Sequence, residues 1–177
     1  MLMRAQPDAG FTLIELLIGI GIVGILLMLA APAFSVYIQN SRIRNVADGI
    51  MNGVQLARTE AVRLNRPVEF AFTGGGNWSV NQVNPLQEIQ SRDGNEGMIN
   101  TVIDSGTSNR ITFTPLGAPL ATNPLDGSNP MTRIDITAST TVAGTRPLRV
   151  LISPAGNVRM CDPSTNLPTG DPQRCTQ

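Results

Sequence analysis

The chain contains no histidine and no lysine. Without histidine, the familiar Ser-His-Asp and Cys-His nucleophile arrangements and every histidine-bearing zinc site are excluded. Without lysine, a phosphate loop ending in Gly-Lys-Ser/Thr is excluded too, so Gly74-Gly75-Gly76 is assigned to a turn that needs positive backbone angles. Cys161 and Cys175 are the only cysteines, too few for the four thiolates of an all-sulfur zinc site. Asp93-Gly94-Asn95-Glu96 lacks the spacing and terminal glutamate of an EF-hand and reads as an ordinary acidic turn. No metal, cofactor or catalytic set is expected, and the chain is not expected to be an enzyme. Thirteen arginines balance thirteen acidic residues, so no global basic field draws the protein to nucleic acid.

What is present begins with a long apolar run. From Phe11 to Ala31 the only ionisable side chain is Glu15. As a helix rising about 1.5 Å per residue, this run would span roughly 30 Å, the thickness of a bilayer's hydrocarbon core. A mid-helix carboxylate there costs about 2.5–3.5 kcal/mol on insertion scales, less near an end, so Glu15 calls for a partner or a job. Removing Met1–Gly10 would expose the α-amine of Phe11, a cation that Glu15 of another subunit can pair with inside an apolar core. Gly19, Gly21 and Gly24 weaken the helix, and Pro32 gives no backbone N–H to the Met28 carbonyl.

Past Pro32 the helical pattern continues. Ile43, Val46, Ile50, Val54, Ala57, Ala61 and Leu64 recur at spacings of three and four, one apolar stripe on an otherwise polar helix. Arg58 and Arg63, beside Glu60, are assigned to a solvated face laced with weak ion pairs. Asn65-Arg66-Pro67 predicts the helix stop, Asn65 tolerating the C-terminal cap and Pro67 resisting continuation. The period then shifts towards two. Strands are predicted at 68–72 and 78–81, flanking the glycine turn, and at 110–114, 132–137, 148–152 and 157–160. The stretches 92–109 and 115–131 read as loops with one short edge strand. The fold class is α+β: a long N-terminal helix packed on one modest antiparallel core.

The segment Gly10-Phe-Thr-Leu-Ile-Glu15, followed by a spanning run, resembles the type IV prepilin signal of pilins, minor pilins and pseudopilins. The resemblance implies cleavage after Gly10 by a prepilin peptidase and methylation of Phe11. The family's glutamate falls on Glu15 and its proline on Pro32, and in related filaments the stretch corresponding to Gly24–Pro32 loses helicity on assembly. The implied division is a leader over 1–10, a membrane and filament-core helix over 11–38, and an amphipathic half-helix with a periplasmic β-rich head over 39–177. The implied location is the bacterial inner membrane, single-pass, and then the filament. The implied partners are other major and minor pilins and the inner-membrane assembly platform.

Three further segments, Ala57-Arg-Thr-Glu-Ala-Val62, Phe113-Thr-Pro-Leu-Gly117 and Arg149-Val-Leu-Ile-Ser-Pro-Ala-Gly-Asn-Val-Arg-Met-Cys161, resemble the GspH/FimT family of minor pilins and pseudopilins. This implies a low-abundance subunit that joins or primes a pilus tip. The alternative is a minor pseudopilin of type II secretion. The implied oxidising compartment makes a Cys161–Cys175 disulfide the expectation, with two free thiols as the competing state. Some FimT proteins bind DNA through a Gly-Arg-x-Arg-like segment; here it reads Gly156-Asn-Val-Arg159, so only Arg159 carries over. A possible DNA-binding set is Arg146, Arg149, Arg159 and Arg174, whose structural alternative is to tie strand ends together or line a subunit interface.

Overall fold

The computed structural model describes residues 11–94, 100–140, 143–164 and 167–175. Gly10 and Glu96 lie outside them. Helix α1 runs from Leu13 to Leu64. Its start is capped by Thr12, whose Oγ1 accepts the Glu15 N–H at 3.3 Å. Its end is a two-bond cap in which the Asn65 N–H donates to the Val62 carbonyl and the Arg66 N–H to that of Ala61. Asn65 takes φ 51°, the left-handed geometry this cap requires and the reason asparagine suits the position.

The chain divides into two compact units, Met1–Tyr37 and Ile38–Gln177. In the first, the large apolar side chains from Phe11 to Leu29 are all exposed. Among the described residues no single helix is long and apolar enough to cross a membrane, whereas Leu13–Leu29 and Phe34–Leu64 pass together by length and composition. The backbone of α1 continues through Pro32, which gives no N–H to the Met28 carbonyl.

In the second unit α1 buries Ile43, Val46, Ala47, Ile50, Val54, Ala57 and Ala61. That is the expected stripe with Ala47 added and Leu64 left half-buried. Gly53 sits in α1 where a Cβ would come within 2.7 Å of Phe70 Cε2 and 3.2 Å of Trp78. Only glycine admits so close a helix–sheet approach. Phe70 and Trp78 themselves stack with ring centroids 5.7 Å apart.

Eight strands follow: β1 (Val68–Gly74), β2 (Asn77–Gln82), β3 (Gln87–Arg92), β4 (Thr101–Asp104), β5 (Arg110–Phe113), β6 (Arg133–Ala138), β7 (Leu148–Ile152) and β8 (Val158–Cys161). The β1–β2 turn places Gly74, Gly75 and Gly76 all at positive φ, as expected of three consecutive glycines. The antiparallel core is built from two sheets, ordered β3-β2-β1-β5 and β4-β6-β7-β8. Every strand pairing in both is antiparallel. One core nonetheless joins them, because Phe113, Ile134, Ile136, Val150 and Ile152 pack in the same buried cluster as the α1 stripe. Strand β3 was not foreseen: only Ile89 of its six side chains is even half-buried, so it shows no apolar alternation.

Candidate functional site

At the N-terminus, Phe11 is 87% exposed and Glu15 is exposed too. Glu15 lies in the first turn of α1, where the helix dipole favours a carboxylate by about 0.3–1 kcal/mol. The Thr12 cap and this placement explain how a charge persists beside Leu13, Ile14, Leu16 and Leu17, all exposed. The backbone of Pro32 is helical.

In the head, the three segments that carry the family resemblance meet at one guanidinium. Arg58 donates from Nε to the Gly117 carbonyl at 3.0 Å and from Nη1 to Asn157 Oδ1 at 3.3 Å. Gly117 lies in a turn closed by its own N–H on the Thr114 carbonyl, with φ 76°. The turn at Ser153–Asn157 packs on it so closely that a Cβ on Gly156 would lie 2.4 Å from the Gly117 oxygen. Arg58 is thus no solvated-face residue, a correction to the reading from its neighbours; Arg63 is, pairing with Glu60 at 2.6 Å on the surface. The tertiary fold brings Gly117 and Asn157 to Arg58 from 59 and 99 residues away. Asn157, where a DNA-binding pattern would have arginine, supplies the acceptor for that bond.

Cys161 and Cys175 form a disulfide with Cα atoms 5.0 Å apart. Backbone bonds reinforce it: the Asp162 N–H donates to the Gln173 carbonyl at 2.6 Å and the Cys175 N–H to that of Asp162 at 3.0 Å. The C-terminal loop is therefore held at both ends against β8. Arg174 turns back into the same loop, donating to the Leu167 carbonyl and Thr169 Oγ1, each at 3.3 Å.

The remaining candidate arginines fall in two places. Arg149 grips Asp135 through both carboxylate oxygens, and Arg133 approaches the same carboxylate at 3.9 Å. With Arg159 they line a depression of about 550 Å³ that also contains Leu151 and Pro154. Arg146 lines a different depression, beside Arg44 of α1.

One buried charge escaped sequence reasoning. Glu69 alternates with Val68, Phe70 and Phe72 in β1 and so reads as solvent-facing, yet it is fully buried. The cover is the segment after β5, secured by Asn123. That side chain donates to the Arg110 and Asn129 carbonyls and to Ser128 Oγ, and accepts from Thr112 Oγ1. Arg110 donates to Glu69 Oε1 at 2.8 Å and approaches Asp126 at 3.3 Å, while Glu69 Oε2 has no partner among the described residues. Burial raises the Glu69 pKa against the opposing pull of Arg110. Asp126 is lowered, first by the hydrogen bonds it accepts from Ser128.

Residues 46–156 match a protein-family model described as type II transport protein GspH. Residues 6–31 match the prokaryotic N-terminal methylation motif, which implies processing by a prepilin peptidase. No curated protein matches the chain. The fold is similar to the crystal structure of the type IV minor pilin FimU from Pseudomonas aeruginosa, with a TM-score of 0.52 and 16% identity. That match covers 70% of this chain and 91% of the other, and at this identity it speaks to the fold alone.

Proposed function

The chain belongs to the GspH family of minor pilin-like filament proteins, and on that premise we propose that it is a minor pseudopilin of a type II secretion system. It is a structural protein rather than an enzyme. The carrying observation is the joining of a GspH-type head to a helix whose large apolar side chains are exposed from Phe11 to Leu29. At about 25 cal/mol per Å², such a surface is stable only when lipid or other apolar helices cover it. In the precursor the cover is the inner membrane; in the filament it is the equivalent helices of other subunits. Cleavage after Gly10 would leave the Phe11 amine free to be methylated and to pair with Glu15 of a neighbour, turning the one charge in the run into a registration device.

The family description favours secretion over the pilus reading that the sequence put first. The pilus remains the second reading, favoured by the fold shared with FimU and by the disulfide-closed C-terminal loop. DNA capture has the least support, because Arg149 is committed to Asp135 and Arg174 to its own loop.

Deleting the gene in its own host and measuring both exported protein and sheared surface pili separates the readings. Loss of export with normal pili is the expected result. Loss of pili with normal export would move the protein to the pilus, and no change in either would refute a filament role.

A further inference from the structure

The depression beside Arg146, about 450 Å³, is lined mostly by residues outside the three segments that carry the family resemblance, Met160 and Cys161 being the exceptions. It is assembled by Asn40 of α1, whose Oδ1 accepts the Arg146 N–H at 2.8 Å and whose Nδ2 donates to the Gly144 carbonyl at 3.0 Å. These bonds draw the approach to β7 across the helix and bring Arg146 to the same depression as Arg44, one turn beyond Asn40.

Neither guanidinium makes a strong internal pair among the described residues. The Arg44 contact with Asp48 is 3.8 Å long between exposed side chains, a pair of little value. Among the described residues no carboxylate pairs with Arg146. The one acid lining the depression, Asp162, accepts the Ser164 N–H at 2.8 Å. Leu148 and Met160, both half-buried, add apolar surface. Gln173 forms part of the wall and is held by its carbonyl bond from Asp162 and by the adjoining disulfide.

Two guanidiniums without a strong partner among the described residues, beside half-buried apolar surface, suit a carboxylate carried on a peptide with an apolar neighbour. A nucleic-acid backbone would leave Leu148 and Met160 uncovered. We infer that this depression docks an acidic segment of a neighbouring filament subunit, the carboxylate held by Arg44 and Arg146 and the adjacent apolar side chain lying on Leu148 and Met160. The inference rests on the filament reading and names the chemistry of one contact within it.

The test uses the full chain in producing cells, with a photo-crosslinking amino acid at Gln173. Processing of the leader and formation of the Cys161–Cys175 disulfide serve as checks that each variant folds. The expected product is a crosslink to a filament subunit, mapped by mass spectrometry beside an Asp or Glu. Arg44→Glu with Arg146→Glu should lower it on the order of tenfold, since two weak attractions become repulsions. Changing the mapped acid to Arg should restore it. A crosslink unaffected by charge reversal, one mapped to a segment without acid, one to lipid or nucleic acid only, or none at all in filaments containing the protein would overturn the inference. Absence of the unmodified wild-type chain from both isolated pseudopili and isolated pili would refute the filament reading, and this inference with it.

Discussion

Replacing Arg110 with methionine should destabilise the head strongly at neutral pH and less under acid. The carboxylate of Glu69 is fully buried, and its single described hydrogen bond, 2.8 Å long, comes from Arg110. Arg110→Met keeps the packing volume but strands that charge, a change that costs about 3–5 kcal/mol when one partner of a buried pair is removed. The pH dependence has a definite sign. Burial already raises the Glu69 pKa and Arg110 opposes the rise, so the variant's folded-state pKa climbs further above the unfolded value. Between those two values the native state holds a proton that the unfolded chain releases. Stability attributable to this proton is complete below the unfolded pKa and is lost as pH rises through the folded one. The deficit should therefore shrink on going from about pH 7.5 to 5, by up to about 1.4 kcal/mol for each unit by which the variant raises the folded pKa within that interval. Losing the Arg110–Asp126 contact adds a deficit that also shrinks with acid, but only below the unfolded-chain aspartate value of about 3.9, because Asp126 is held low, chiefly by Ser128; that change lies outside the interval from about pH 7.5 to 5. The assay is urea denaturation of residues 38–177 followed through Trp78, at the two pH values. Adding Glu69→Gln to Arg110→Met should restore most of the loss at neutral pH. A deficit equal at both pH values, or one that Glu69→Gln leaves in place, would refute the account of a stranded carboxylate.

Cys161→Ser with Cys175→Ser should cost about 3 kcal/mol in the chain-entropy account of a loop this size, and should expose 162–174 to protease while leaving the helix signal in circular dichroism unchanged. Arg58→Ala should cost about 1.5–3 kcal/mol by stranding the Gly117 carbonyl and Asn157, and Arg58→Lys should recover little, since an ammonium lacks the planar fork that reaches both; urea midpoints check this. Glu15→Ala should leave cleavage of the precursor intact yet lower its co-isolation with the other filament subunits. Normal co-isolation would remove the pairing of Glu15 with the Phe11 amine.

Periodicity and local chain chemistry carried much of the fold. The stripe from Ile43 to Ala61, the stop at Asn65 and the glycine turn between β1 and β2 are short-range consequences of side-chain spacing and backbone angle, so they were readable in one dimension. Strand β7 was legible for the same reason, with four apolar residues in five, two of them β-branched. Strand β3 was not, because an exposed edge strand is held by backbone bonds and has no need of apolar alternation. The division into two sheets likewise leaves no local trace.

The candidate sites divide along the same line. Phe11, just before α1, and Glu15 and Pro32, inside it, were singled out by residue type and order along one short stretch of chain. The meeting of Arg58 with Gly117 and Asn157, the burial of Glu69 and the pairing of Arg44 with Arg146 across one depression join residues far apart in sequence. An arginine on a helix face looks the same in one dimension whether water or a distant carbonyl receives its hydrogen bonds. The sequence by itself determined the charged first turn of an exposed apolar helix, the amphipathic stripe and the positions of most strands. Only the tertiary structure decided which charges are buried, which are spent on one another and which are left facing outward, because those outcomes depend on what chain folding places within about 4 Å.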